Sequence, residues 1–248
     1  MLKNSAVLND IDGELAHFFA AVAEDLEALA LLHHTEPTNG LIEDLKAVGF
    51  PGNLALKLSA QESTEILTAA LAEMQTPLDA VTLDRLAVDY AAIYLTYSLG
   101  ASPYESVWLD EEHLACQNSM FAVREWYKRF ELSVENWRTR ADDHLVLQLL
   151  FVAHLLKKNA GQDAAAFMDA HLLRWLTNFA QRIATRCDTQ YFAGVSILTA
   201  VYCEKLRDLL AELLDAPRKP FEEPEKPKIS EPVLDCGSPY VPGQGPGW

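Results

Sequence analysis

Apolar residues recur at spacings of three and four along nearly the whole chain, and this helical period limits the possible folds more than any other feature. Between Ile11 and His33 one helical face would carry an unbroken apolar stripe, formed by Leu15, Phe18, Phe19, Val22, Leu26 and Leu29. No segment shows the alternation of apolar and polar residues that indicates a half-buried strand. The sequence therefore predicts an all-α fold.

Cap and turn residues divide this pattern into separate helices. Ser59 and Glu62 have the spacing of a capping box, and Asp110 is placed to cap a later helix. Glycines and prolines between residues 34 and 58 leave room for one short helix between loops. The other predicted helices span residues 59–75, 82–98, 111–130, 142–158, 162–186 and 189–214. We expect one helical bundle, with residues 138–142 as the best place for a hinge.

The composition changes abruptly at residue 216. Eight of the chain's 12 prolines follow this point, together with charged residues and the ending GSPYVPGQGPGW. Such a composition is typical of disordered or extended segments that do not form a core. We therefore expect a helical domain over residues 1–215 and a disordered tail over 216–248. A docking role for Tyr240 and Trp248 in the tail is the alternative interpretation.

Charge and hydropathy narrow the classes of partner. The net charge of −16 disfavours nucleic acid, because phosphate binding needs clustered Lys and Arg, whereas a basic peptide would be attracted. The longest apolar run, residues 145–156, is shorter than the roughly 20 residues of a membrane span and contains Gln148 and His154. Because the start MLKNSAVLND lacks the pattern of a secretory signal, we expect a cytoplasmic protein without stable membrane insertion.

Motifs for catalysis or metal binding are absent from the sequence. The four cysteines are scattered, and no C-x-x-C, H-E-x-x-H, Gly-rich phosphate loop or G-x-S-x-G occurs. His154 and His171 lack the carboxylate partners that a di-iron bundle requires. We therefore expect a binding protein with no catalytic residues, no metal and no cofactor of its own. A metal or redox-active bundle remains a third class, which the metal content of the purified protein would reveal.

Two linked segments between Asp89 and Leu150 are not explained by helix packing alone. The first, DYAAIYLTYSLGASPYESVWL, runs an aromatic helix into a Gly/Pro turn and ends in Ser106-Val107-Trp108. The second, ADDHLVLQLLFVAHLL, places acidic residues and a histidine at the start of an apolar helix. Asp142 or Asp143 is a natural helix cap at that position. If Asp142 is the cap, Asp143 is free to bind a guanidinium bidentately.

These segments resemble the TorD/DmsD/NarJ-like family of cytoplasmic maturation chaperones for molybdenum-containing redox enzymes. The family pattern falls on Tyr90 to Trp108 and on Arg140 to His144, and residues 171–199 are similar to its last helices. Arg140 and Ala141 replace the Glu and Pro that are frequent in the family, and Gln148 replaces a Glu. The resemblance covers most of the chain and implies an all-α bundle of the TorD/DmsD type.

The resemblance also implies a function and a set of contacts. It implies a dedicated chaperone that binds the twin-arginine signal peptide of a molybdoenzyme precursor and assists insertion of the molybdopterin cofactor before export. Helix-exchanged homodimers are a tendency of the family, and the hinge would permit one. The expected signal-peptide contacts are Asp143, His144, Tyr90, Tyr94, Tyr104, Glu105, Ser106 and Trp108.

Each of these residues also has a structural interpretation. A tyrosine stripe at helical spacing is often core, and Gly100 and Pro103 can simply end a helix. Asp143 and His144 are as consistent with capping as with binding a peptide arginine. The alternative function is a general helical interaction or scaffold protein without a signal-peptide role.

Overall fold

The computed structural model describes residues 5–58 and 61–218, and within these ranges the side chains of residues 5–12 and 61–63 are not described. The described part contains α1 (Ser5–His34), α2 (Asn39–Ala47), α3 (Gln61–Glu73), α4 (Ala80–Tyr90), α5 (Ser106–Leu109), α6 (Asn118–Arg129), α7 (Leu145–Lys157), α8 (Gly161–Ala170), α9 (Leu176–Arg186) and α10 (Gln190–Leu214). A π-helical turn (Ala91–Leu95) follows α4, and a 3-10 turn (Leu172–Arg174) precedes α9. The predicted all-α fold is confirmed, since this part of the chain has no strand beyond one isolated bridge.

Helix α7 lies at the centre of the bundle. Nine of its 13 residues are buried, as expected for a helix that is apolar on all sides. The long helix α1 packs along α7, while α10 packs against both α3 and α9. The contact between α10 and α3 is especially close at Gly194, where an added Cβ would lie 2.9 Å from the Leu67 Cα. This arrangement encloses one continuous apolar core.

Several predicted helix boundaries are wrong, and each error has a local cause. Helix α4 is capped by Asp79, which accepts a hydrogen bond from the Thr82 backbone N–H at 2.7 Å. Asp110 is not the N-cap of α6; its carboxylate accepts from the Ser119 hydroxyl, and α6 begins only at Asn118. The predicted helix over 162–186 is split at His171, whose backbone leaves the helical region.

Two further predictions fall partly outside the described residues. The side chains of the capping box of Ser59 and Glu62 lie outside them, as does the tail beyond Arg218. Helix α10 ends at Leu214, followed by Asp215 in the left-handed conformation. The domain boundary at residue 216 and the hinge at residues 138–142 stay predictions. None of the described helices is long and apolar enough to cross a membrane.

Candidate functional site

The two motif segments meet at one junction in the folded chain. Tyr104 and His144 form an isolated antiparallel bridge, although 40 residues separate them in the sequence. The Leu145 N–H donates to the Pro103 carbonyl at 2.8 Å, and the Glu105 N–H donates to the Asp143 carbonyl at 3.2 Å. These backbone bonds place the start of α5 directly beside the start of α7.

Asp143 fixes the start of α5 from the inside of this junction. Its Oδ2 accepts two hydrogen bonds from Ser106, one from the backbone N–H at 2.8 Å and one from the hydroxyl at 2.6 Å. The side chain is fully buried, and Oδ1 has no hydrogen-bond partner among the described residues. Burial raises the pKa of Asp143, whereas its bonds to Ser106 act in the opposite direction. The expectation that Asp143 is free in the first turn is therefore wrong.

The residues on either side of Asp143 have two different structural roles. His144 is the N-cap of α7, because its Nδ1 accepts from the Val146 N–H at 3.1 Å. Asp142 is not the cap; it forms an ion pair with Arg124, whose Nη2 lies 2.8 Å from Oδ2. Burial, reinforced by the nearby Arg140 charge, holds the pKa of His144 well below its usual value. The imidazole is thus neutral at physiological pH and supports the helix.

Glu105 lies in a buried polar network beneath the junction. Its Oε1 lies 2.9 Å from the His171 Nδ1, and its Oε2 accepts from the Gln148 amide. The Gln148 Oε1 in turn accepts from the Trp175 indole N–H at 3.3 Å. Because both carboxylate oxygens of Glu105 already have partners and the side chain is fully buried, Glu105 holds helices together rather than facing solvent.

The two candidate tyrosines at the end of α4 and in the π-helical turn, Tyr90 and Tyr94, pack against each other with ring centroids 5.0 Å apart. Tyr94 is buried, and its hydroxyl lies 2.6 Å from the His33 Nδ1. Tyr90 is partly exposed and donates to the His34 carbonyl at 2.7 Å. Tyr104 lies apart from both, edge-on to His144 with ring centroids 5.0 Å apart. Tyr94 is therefore a core residue, which is the structural interpretation that its helical spacing allowed.

Trp108 is anchored on the opposite side of α5. Its indole N–H donates to the Ser102 carbonyl at 2.8 Å, and its ring lies over that of Trp175, with centroids 6.5 Å apart and the ring planes inclined by 28°. Among the expected contacts, the junction thus unites Tyr104, Glu105, Ser106, Asp143 and His144. Tyr90 and Tyr94 instead lie beside the C-terminal end of α1, and Trp108 faces α9.

Sequence analysis missed three residues that complete the site. Arg124 neutralises Asp142, and His171 and Gln148 satisfy Glu105. Local spacing does not reveal the carboxylate partner of His171, because Glu105 is 66 residues distant in the sequence. A polar residue within an otherwise apolar helix, such as Gln148 in α7, is the sequence signal that indicates such a buried polar network. No cluster of His, Cys, Asp and Glu that could hold a metal occurs among the described residues.

The fold and the junction define the class of protein, an all-α bundle in which two motif segments meet at one buried polar site. A family model described as "Nitrate reductase delta subunit" matches residues 60–181. The curated "Chaperone protein TorD" of Shewanella pealeana is 29% identical over 177 residues, which cover 67% of this chain and 78% of that protein. TorD of Vibrio cholerae serotype O1 is 28% identical over 177 residues, covering 66% and 79%.

A second kind of relative matches a shorter region. The "Probable Tat proofreading chaperone DmsD" of Haemophilus influenzae is 25% identical over 101 residues, which cover 41% of this chain and 49% of that protein. Both comparisons thus find the chain similar to the TorD/DmsD/NarJ-like chaperones. Since these relatives are named as chaperones, the expectation of a non-enzymatic protein is confirmed.

Proposed function

We propose that this chain is a cytoplasmic chaperone that binds the twin-arginine signal peptide of a molybdoenzyme precursor and holds the precursor while its molybdopterin cofactor is inserted. The observation that carries this proposal is the buried Asp143 carboxylate, one oxygen of which has no partner in the described part of the chain. The relative named as a Tat proofreading chaperone supports the same assignment. In this proposal the molybdopterin cofactor is inserted into the client enzyme and is not a cofactor of this chain.

The unpartnered Oδ1 of Asp143 makes a peptide guanidinium a suitable ligand. A buried carboxylate oxygen without a donor carries a desolvation cost of about 1–3 kcal/mol or more. A guanidinium offers five N–H donors in a planar fork and supplies both a hydrogen bond and the opposite charge. Since Oδ2 is already held by Ser106, Asp143 would receive the arginine in a fixed orientation. The net charge of −16 would attract the basic peptide toward this surface.

An arginine can reach Asp143 only if a covering segment moves. Residues 110–117 link α5 to α6, and within them His113 and Cys116 have positive φ angles of 52° and 62°. Burial raises the pKa of the Cys116 thiol, and the charge of Asp143 acts in the same direction. The linker begins close to the carboxylate, since the Asp110 N–H donates at 3.1 Å to the carbonyl of Ser106, the residue that Asp143 binds. Displacement of residues 110–117 is therefore the rearrangement that we propose on peptide binding.

Apolar side chains near the linker suit the apolar part of a signal peptide. Leu114 within the linker is 54% exposed, and Phe121 on α6 is 49% exposed. Phe121 also lies 5.4 Å from the guanidinium carbon of Arg124, which is the ion-pair partner of Asp142. A peptide whose arginine binds Asp143 would thus find exposed apolar surface close by.

Titration calorimetry of the purified protein with the signal peptide of a co-encoded molybdoenzyme tests this function. The control is the same peptide with both arginines changed to alanine. We expect micromolar or tighter binding of the unchanged peptide and at least a tenfold loss for the control, because truncating one partner of a buried charged pair costs about 2–5 kcal/mol. Equal binding of both peptides, or binding of neither, would contradict the proposal and favour a general interaction protein.

A further inference from the structure

A cleft lies between α5 and α9, on the side of α5 that faces away from Asp143. Its volume is about 560 Å³, and one wall is a face of α9 that spans two turns. The residues that line it include Val107, Trp108, Gln181, Arg182, Thr185 and Arg186. None of the described residues that line this cleft is Asp or Glu, although the chain as a whole carries 36 acidic residues against 20 basic ones.

The two arginines of the cleft have no carboxylate partner among the described residues. Arg124 and Arg207, in contrast, are ion-paired with aspartates. The Nη1 of Arg182 donates to the Gly100 carbonyl at 2.8 Å, and the Nη1 of Arg186 donates to the Leu99 carbonyl at 2.7 Å. Each guanidinium has five N–H groups, so donors remain on both after these bonds are made.

The rest of the cleft wall keeps these guanidinium groups in place. Arg182 lies over the Trp108 ring, with its guanidinium carbon 4.4 Å from the ring centroid. Arg186 approaches the positive-φ turn at Gly100, where an added Cβ would lie 3.0 Å from Nη1. Both arginines are thus held by contacts that leave their positive charges unneutralised. Two guanidinium groups on successive turns of α9 are suited to bind carboxylates, because arginine binds a carboxylate bidentately.

The character of the cleft favours a polypeptide over a small molecule. Small-molecule sites are mostly apolar and enclose their ligand. Among the described residues that line this cleft, the only large apolar side chains are Val107 and Trp108. The cleft is open to solvent and carries side-chain amide and hydroxyl groups along α9 that can bond a peptide backbone. An acidic segment would be repelled by most of this chain's surface, so charge complementarity selects this location.

We propose that this cleft binds an acidic segment of a partner polypeptide, whose carboxylates pair with Arg182 and Arg186. This surface differs from the proposed signal-peptide site in the charge of its occupant, although His113 of the 110–117 linker also lines the cleft. The two sites share α5, since Ser106 at its start is bonded to Asp143 and Trp108 near its end supports Arg182. The proposal does not depend on signal-peptide binding.

Fluorescence anisotropy with a short labelled peptide of repeating Glu-Glu-Gly-Ser sequence tests this inference on the full chain. We expect the peptide to bind at low salt, to weaken with added salt, and to lose its affinity when its glutamates are replaced by glutamines. Arg182→Gln and Arg186→Gln should each weaken binding by about tenfold or more. The control is Lys205→Gln, which removes one positive charge from an exposed site outside the cleft and should leave binding unchanged.

A further variant separates binding from folding, because both arginines also hold the turn at residues 99–100. Gln181→Glu adds a negative charge within the cleft and leaves those two bonds intact, so it should weaken peptide binding with an unchanged thermal transition. Absence of binding by the acidic peptide overturns the inference, as does equal binding by all variants. Binding of inorganic pyrophosphate without binding of the peptide also overturns it and assigns the cleft to small anions.

Discussion

Replacing Asp143 by alanine or by asparagine should separate its role as a hydrogen-bond acceptor from its charge. Oδ2 accepts both Ser106 donors inside the junction, while Oδ1 has no partner among the described residues. Asp143→Ala removes both hydrogen bonds and leaves the N–H and hydroxyl of Ser106 buried. Asp143→Asn retains an acceptor oxygen for Ser106 and replaces the unpartnered charged oxygen with a neutral amide group.

The two substitutions should therefore differ in their effect on the free energy of unfolding. Each buried donor left without a partner costs about 1–3 kcal/mol. Removal of a buried charge offsets part of this cost, because burial raises the pKa of Asp143 and so disfavours its ionised form. We expect Asp143→Ala to destabilise the protein by about 2–4 kcal/mol and Asp143→Asn to stay within about 1 kcal/mol of the wild type.

Urea denaturation at pH 7, followed by tryptophan fluorescence, measures this difference. Trp175 is fully buried beneath the junction and reports its unfolding. An Asp143→Ala protein as stable as the wild type would show that the bonds to Ser106 do not stabilise the fold. If Asp143→Asn were as unstable as Asp143→Ala, the charge rather than the acceptor would be the stabilising feature.

Two further predictions concern the core. Burial lowers the pKa of His33 from about 6.5 to about 3, so below pH 6.5 the unfolded chain binds a proton that the native state does not, and stability falls as the pH falls. Urea unfolding of His33→Gln at several pH values between 6 and 4 should show a slope smaller than the wild-type slope by about 1.4 kcal/mol per pH unit; an unchanged slope would contradict this. Gly194→Ala should cost about 1–3 kcal/mol by thermal unfolding, because its Cβ would meet the Leu67 backbone. Gly40→Ala is the matched control, with no neighbour closer than 4.0 Å, and equal effects of the two glycine variants would refute the close approach of α10 to α3.

Much of the fold could be predicted because helical periodicity is a local signal. Helix α10 spans Gln190–Leu214, close to the predicted 189–214, and the short helix α2 lies where loops were expected on both sides. The breaks within helices were harder to predict. The π-helical turn at Ala91–Leu95 preserves the apolar pattern while turning the side chains that follow it, so its sequence resembles a continuous helix.

The sequence predicted which residues belong to the site, but it did not predict which of them contact one another. The sequence identified Ser106 and Asp143 as members of two motifs, but the hydrogen bond between them joins residues 37 positions apart. The role of Asp142 as a helix cap is wrong for the same reason, whereas capping by His144 is one of the two interpretations that the sequence allowed. The ion pair of Asp142 with Arg124 is a tertiary contact, and once both aspartates have distant partners, His144 is left to cap α7. Local propensity cannot rank such competing partners.

A double-mutant cycle between Asp143→Asn and the signal peptide tests the central claim most directly. Wild-type and variant proteins are each titrated with the twin-arginine peptide and with copies in which one arginine at a time is alanine. We predict that Asp143→Asn weakens binding of the unchanged peptide, and that one alanine copy binds the two proteins with similar affinity, giving a coupling energy of at least about 1.5 kcal/mol. Additive losses for both arginines would show that neither contacts Asp143 and would contradict the account.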